Sequence, residues 1–332
     1  MNIVFFATPD FILSVGQVLL EAGYQIACVV TNPDRPVGRK QILTPSPAKV
    51  WAQEHNIPVL TPEKLDDNFQ LSILNYQFDI FVVASYGKIL PLPILNLPKF
   101  GAINIHPSLL PKYRGPVPVP AAIICEKNET GSTFLKMDEK MDHGPILYQF
   151  KSEIRPDDNA DTLLHRIWKE SADKLPEVLD KYLKGEIKPE VQDESKATYT
   201  RLLSKEDGFV PFQYLETAIQ GQSIDQRLTI NFLPDATINH SPLTIDHLIR
   251  ALYPWPGVWT EIKICDKQQV TRKKRLKILS AHLDSPTNTN SQFPITNNQP
   301  PSSKLVLDQV QLEGKTPTSW QNISSSVLNS VP

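Results

Sequence analysis

Cysteine is scarce in this chain. Cys28, Cys125 and Cys265 are its only three thiols. They lie far apart, are odd in number and form no Cys-x-x-Cys pair. That argues against a disulfide framework or a thiolate metal site and fits a reducing compartment. Cys28 and Cys125 sit in apolar runs and read as core residues. An excess of one charge sign is missing too, with Lys+Arg 34 against Asp+Glu 36 and a formal net charge of -2. Such a balance speaks against non-specific DNA binding, although one face can still be basic. No apolar run reaches the ~18 residues of a membrane helix. The opening Met1-Asn2-Ile3-Val4-Phe5 has neither a basic leader nor a signal-type apolar core. No Gly-x-Gly-x-x-Gly follows the first apolar run, so the usual cue for a dinucleotide-dependent oxidoreductase is lacking. No internal repeat is visible. What remains is a soluble, cytoplasmic protein with 40% hydrophobic residues, enough for one large or two ordinary domains.

The first half alternates apolar runs with helical patterns. Strands are expected at 3–7, 26–31, 79–85, 102–106 and 132–137, and helices at 11–21 and 45–55. A long amphipathic helix over 161–184 stops at Gly185. Continuous apolar strands between helices predict a Rossmann-like α/β domain, an open twisted sheet covered on both faces. Its site is expected beyond the carboxyl ends of the strands. Residues 187–203 read as extended. After them the composition changes to short strand-like runs at 259–264, 276–280 and 305–312, which suggests a small OB-like β-barrel. Residues 285–303 are Ser, Thr, Asn, Gln and Pro with only two apolar residues and no charge, the composition of an inserted loop.

Chemistry concentrates between residues 101 and 147. A buried strand ends with Asn104 and His106 at alternate positions, so both side chains project from the same face. A stiff loop follows, carrying Pro107, Pro111, Pro116, Pro118 and Pro120. Asp142 comes later, on a glycine-containing turn. Acyl transfer to an amine needs donors for the developing oxyanion and a route for protons. Asn104 offers amide N–H groups, His106 an imidazole that works near neutral pH, and Asp142 a carboxylate to orient it. The set needs no metal and no covalent nucleophile. Bare Asn-x-His with a distant Asp is a weak signal, because a histidine at a strand end is more often structural.

The longer string is specific. Asn104-Ile105-His106 followed by Ser108-Leu109-Leu110-Pro111-Lys112-Tyr113-Arg114-Gly115 and by Asp142-His143-Gly144 resembles the folate-dependent formyltransferase family. The resemblance implies the formyltransferase fold, 10-formyltetrahydrofolate as co-substrate, no metal, and Asn104, His106 and Asp142 as the catalytic triad. Residues 6–11, 31–49, 83–91, 198–208, 253–257 and 310–320 are similar to the branch that formylates initiator methionyl-tRNA. This implies folate contacts from Ser85, Tyr86, Gly87, Ile89, Leu90, Ser108, Leu109, Leu110, Pro111 and His143. It implies tRNA contacts from Arg35, Arg39, Lys40, Lys112, Arg114, Arg272, Lys273 and Lys274, in a monomer. The division implied is a catalytic domain over 1–186, a linker over 187–206, and a tRNA-binding barrel over 207–325 with insertions at 220–242 and 285–303. Three positions depart from the family pattern: Ala7 replaces a glycine, and Pro116 and Pro120 alter the loop. Formylation of an amino-sugar nucleotide or of glycinamide ribonucleotide, hydrolysis of the formyl-folate, and a non-catalytic RNA-binding homologue are the rival readings. The basic loop at 35–40 and the intact triad argue against them.

Overall fold

The computed structural model describes residues 1–38, 40–126, 128–236, 238–265, 271–284 and 303–328. The chain divides into two units, one made of Met1–Pro118, Asn128–Arg155 and Thr162–Thr200, the other of Val119–Lys127, Pro156–Asp161 and Arg201–Pro332.

In chain order the first half holds β1 (Asn2–Ala7), α1 (Leu13–Glu21), β2 (Gln25–Val30), β3 (Arg35–Val37), β4 (Ile42–Thr44), α2 (Pro47–Glu54), β5 (Val59–Leu60), α3 (Asp67–Ile73), β6 (Ile80–Ala84), α4 (Leu92–Leu95), β7 (Ala102–His106), α5 (Pro118–Cys125), β8 (Glu129–Lys136), β9 (Ile146–Glu153) and α6 (Ala160–Leu183). Seven strands form one sheet in the order β5-β2-β1-β6-β7-β8-β9. The pairs from β5 to β7 are parallel, and β8 and β9 close one side antiparallel. Strand order reverses at β1, which makes its carboxyl end the switch point where open α/β sheets bind ligands.

Two cores explain why these strands are apolar throughout. Ile3, Phe5 and Ala7 of β1 pack into a cluster with Trp51 of α2 and with Trp168, Leu175 and Leu179 of α6. Val4 and Phe6 point the other way, toward Phe69, Ile73, Ile94 and Tyr86. A strand buried on both faces has no polar face to display, so period-two alternation vanishes. α2 starts where sequence chemistry dictates: Ser46 accepts from the Lys49 N–H and Pro47 occupies the first helical turn.

Two expectations need correction. The proline-rich loop is shorter than its prolines suggest, because Pro118 and Pro120 lie in the first turn of α5, where a missing N–H costs nothing. Cys125, expected in the core, is exposed at the end of that helix, whereas Cys28 is buried and its thiol is pushed up to about 12 by burial. Residues 187–203 are largely extended and are tied to the first unit's strands and loops. Ile146 and Glu190 exchange backbone hydrogen bonds, and Arg114 bridges Tyr199.

The second unit contains α7 (Phe212–Ile219), β10 (Ile224–Leu228), β11 (Ile238–His240), α8 (Pro242–Ala251), β12 (Val258–Cys265), β13 (Thr271–Asp284), β14 (Lys304–Leu312), β15 (Thr318–Ser319), α9 (Gln321–Ser324) and β16 (Val327–Leu328). Its main sheet is antiparallel, in the order β15-β14-β13-β12-β16. The segment expected as an insertion at 220–242 contains the β10–β11 hairpin. α7 and α8 are absent from the sequence reading. α8 could have been read: Ser241 caps it, and Ile245, Leu248 and Ile249 recur at helical spacing. Nearly all of the expected loop at 285–303 lies outside the described residues. Among the described residues no helix is long and apolar enough to cross a membrane.

Candidate active site

Asn104 and His106 end β7, which β6 separates from the switch point at β1. Asp142 is brought to them by the turn between β8 and β9. Its Oδ1 accepts from the Asn104 amide at 3.2 Å, and its Oδ2 accepts from the Gly115 N–H at 2.8 Å. The same Oδ2 lies 3.5 Å from His106 Nδ1. The other ring nitrogen, Nε2, is 3.0 Å from the Tyr113 carbonyl oxygen. A carbonyl only accepts, so Nε2 carries a proton, and Nδ1 is the nitrogen turned toward Asp142. His106 is buried and its ring has little room to turn.

Backbone strain gathers at the same place. Ser85, Tyr113 and Asp142 hold φ values of 49, 61 and 51. A left-handed non-glycine residue costs roughly 1–2 kcal/mol, and such positions cluster at functional sites. Gly115 answers a different demand. Its φ is 110, and an added Cβ would stand 2.6 Å from the Thr200 carbonyl oxygen. The Gly144 of the turn is fixed by space: a Cβ there would come within 1.8 Å of the Lys136 carbonyl oxygen.

The loop from Pro107 to Gly115 is held from beneath by hydroxyls. Ser108 Oγ donates to the Lys112 carbonyl at 2.7 Å, so it is a turn staple. Thr133 Oγ1 donates to the Ser108 carbonyl and accepts from the Leu110 N–H, while Gln149 donates to the Leu110 carbonyl. Of the residues expected at the folate, Ser85, Gly87 and Ile89 are exposed, and Leu109 and Pro111 are partly so. Tyr86, Leu90, Ser108 and Leu110 are buried. Tyr86 packs edge-on to Phe6, and burial raises its phenol above the ordinary tyrosine range. Its contribution to the rim is its carbonyl, which accepts from Thr8 and Asn32. His143 lies between Asp138, at 2.6 Å, and Glu194, at 3.5 Å.

Arg114 is placed differently from its expected role at RNA. It is 1% exposed. Its guanidinium meets both carboxylate oxygens of Glu194, at 3.0 and 2.6 Å, as well as Gln192 and Tyr199. Desolvation opposes its charge, yet the hydrogen bonds to Glu194 and Tyr199 raise its pKa all the same. A fork satisfied inside the fold is not presented to a phosphate. Arg35, Lys40 and Lys112 are exposed, and Arg39 lies outside the described residues.

Arg272, Lys273 and Lys274 do not share a face. Pleating puts Arg272 and Lys274 on the side of Leu276 and Ile278, whereas Lys273 shares its side with Arg275 and Lys277. Opposite that second side lie Lys263, Glu261 and Trp259 of β12, in register with Lys273, Arg275 and Lys277. Arg275 rests 4.3 Å from the Trp259 ring centre.

The sequence reading missed Gly115, Asn32 and Gln192 as site residues. Asn32 had a readable cue, a polar residue directly after an apolar strand. Among the described residues no group of three or more His, Cys, Asp or Glu side chains could hold a metal ion.

Comparison with known proteins places the chain in a family. The Formyl transferase family matches residues 1–179, and the Formyl transferase, C-terminal domain family matches residues 236–327. A methionyl-tRNA formyltransferase of Chloroflexus aurantiacus is 39% identical over 291 residues, covering 87% of this chain and 83% of that one. One from Roseiflexus castenholzii is 36% identical over 329 residues, covering 96% and 93%. Among solved structures, methionyl-tRNA formyltransferase from Clostridium thermocellum shares the fold, with a TM-score of 0.54 at 15% identity over 94% of this chain and 98% of that one. With both family regions present and identity sustained over most of its length, the chain belongs to the formyl transferase family.

Proposed function

We propose that this enzyme transfers the formyl group of 10-formyltetrahydrofolate to the α-amine of methionyl-tRNA, giving N-formylmethionyl-tRNA for translation initiation in the cytoplasm. The observation that carries the reading is Asp142: one carboxylate engages Asn104, the Gly115 N–H and His106 at the end of β7.

The amine attacks the formyl carbon and a C–N bond forms. The carbonyl oxygen becomes an oxyanion, and the bond to the folate nitrogen then breaks. The amine loses one proton and the departing nitrogen gains one, so the balance is neutral. Asn104 gives one amide N–H to Asp142, which leaves the other for the oxyanion. The Tyr113 carbonyl fixes the His106 ring and the proton on Nε2, so Nδ1, 3.5 Å from Asp142, is the nitrogen that gains and loses a proton, and the charged ring steadies the oxyanion. Asp142 steadies the charged ring and takes part in the proton relay. The exposed Ser85, Gly87 and Ile89, with the partly exposed Leu109 and Pro111, suit the flat, partly apolar folate head.

For the tRNA, the β3–β4 hairpin carries Arg35 and Lys40 on an exposed loop, with Val37, Ile42 and Leu43 exposed beside them. Lys112 offers a further cation next to the reacting centre. On the second unit, Lys263 and Lys273 face each other directly across two strands. Like charges in that position destabilise a sheet, and although Glu261 comes within 4.0 Å of Lys273, the pair favours an anionic partner such as a phosphate backbone.

The direct experiment supplies 10-formyltetrahydrofolate with radiolabelled methionyl-tRNA, uncharged tRNA or free methionine. Formylmethionyl-tRNA is expected from the charged tRNA alone. Release of tetrahydrofolate without that product would sink the reading and redirect the search to hydrolysis or to amino-sugar nucleotides.

A further inference from the structure

The turn between β8 and β9 must hold Asp142, a left-handed residue, at the reacting centre. What holds it is the segment from Glu190 to Thr200. Glu190 and Ile146 exchange backbone bonds at 2.7 and 2.9 Å just after the turn. Two residues on, Gln192 is buried. Its Nε2 donates to the carbonyls of Asp142, at 2.8 Å, and Gly144, at 2.7 Å. Its Oε1 accepts from Arg114 Nε at 3.1 Å and Nη2 at 2.8 Å. The amide can sit only one way round, because a flip would oppose N–H to guanidinium and oxygen to carbonyl on both sides. Farther along, Thr198 Oγ1 accepts from the Tyr113 N–H at 2.9 Å, and its carbonyl accepts from the Arg114 N–H at 2.9 Å. The same strap therefore grips both halves of the site, the Asp142 turn and the loop whose Tyr113 carbonyl orients His106.

We propose that Gln192, oriented by Arg114, is a positioning residue for formyl transfer: it clamps the carbonyls of Asp142 and Gly144 and so sets the carboxylate against Asn104, His106 and Gly115. The inference rests on Asp142 acting in the reaction as described above. Gln192 spends its amide on Asp142, Gly144 and Arg114. Its effect is on the geometry of Asp142, where a misplacement of about 1 Å costs on the order of 10²-fold in rate.

The test uses the full-length enzyme and Gln192→Met, which keeps length and apolar bulk but removes both donors. It is measured in the wild-type and Asp142→Ala backgrounds. A loss of about 10²-fold in kcat is expected in the first, with KM for both substrates nearly unchanged. In the second, the same substitution should cost less than about twofold, because its target is already gone. Equal losses in both backgrounds would mark Gln192 as a general structural residue and overturn the proposal, as would an unchanged kcat in the wild-type background. Hydrogen exchange over residues 138–146 gives an activity-free reading: Gln192→Met should accelerate it locally, and unchanged protection would also overturn the clamp. If the wild type itself makes no formylmethionyl-tRNA, the functional reading fails, while exchange still decides whether Gln192 holds the turn. Should Gln192→Met fold poorly, Arg114→Lys, which keeps the charge but loses the fork, is expected to give the same split between kcat and KM.

Discussion

Asn104, His106 and Asp142, proposed as the catalytic residues, are each held by a different kind of constraint, and Asn104 carries the first prediction. Asn104 depends on its amide, so Asn104→Asp keeps the shape but sets a second carboxylate against Asp142. The loss of the donor should lower kcat by about 10²–10³-fold with little change in KM. A steady-state assay decides this, and a rise in KM with unchanged kcat would assign Asn104 to ground-state binding instead. Away from the site, His240 is fixed in its neutral form. Its Nδ1 accepts from the Ile224 N–H and its Nε2 donates to the Tyr214 carbonyl. Burial lowers its pKa below 6.5, and His247 is shifted the same way, by burial first and then by Arg250. Above 6.5 these side chains are neutral whether folded or not. As pH falls below 6.5, the unfolded chain takes up protons that the folded one refuses, so stability is lost on that side. Thermal melts from about pH 7.5 to 5.5 should therefore fall, and His240→Gln, which can replace both hydrogen bonds, should flatten the decline. An equally steep decline in the variant would remove His240 from the account.

At the level of elements, much was legible because local chemistry and global packing agree. The apolar runs that became β1, β2, β6, β7 and β8 are each buried on both faces or covered on one, and α6 announced itself by a helical stripe ending at Gly185. β9 is not announced by the sequence: its burial alternates only from Phe150 to Glu153, and polar Gln149 and Lys151 dilute the apolar signal. That Asn104, His106 and Asp142 come together could be read, as they sit within one family string. Gln192 could not: its partners are Asp142, Gly144 and Arg114, and no spacing in a single sequence reports a contact that the fold closes. The glycine of the turn was visible as a letter, but its reason was not. Gly144 is needed because the Lys136 carbonyl passes through the space of a side chain. Gly144→Ala must push the turn off β8 and carry Asp142 with it. A kcat reduced by about 10²-fold in a protein that still folds is the expected outcome. A variant as active as the parent would mean that the turn can shift without moving the carboxylate.

For the whole molecule, the net charge of -2 hides an uneven distribution. Along β13 the run of basic residues looks like one patch in the sequence, and pleating divides it in two. Lys273, on the side it shares with Arg275 and Lys277, gains Lys263 as its cross-strand neighbour, while Arg272 and Lys274 turn toward the side of Leu276 and Ile278. If the first group meets the tRNA backbone, replacing Lys263, Lys273 and Lys277 together by Gln leaves up to three phosphates without a cation. The slope of log affinity against log salt should then shrink by roughly 0.7–0.9 for each phosphate no longer neutralised, and KM for methionyl-tRNA should rise while that for the folate stays constant. Arg275 is left in place because its guanidinium packs on Trp259 and its removal would confound packing with charge. Replacing Arg272 and Lys274 by Gln is the control on the opposite face of β13; it removes two charges rather than three, so effects are compared per charge removed. Equal effects from the two sets would mean that tRNA responds to the overall charge of the unit. An effect confined to the first set would mean that it reads one side of the β12–β13 pair, a distinction that only the strand register could have suggested.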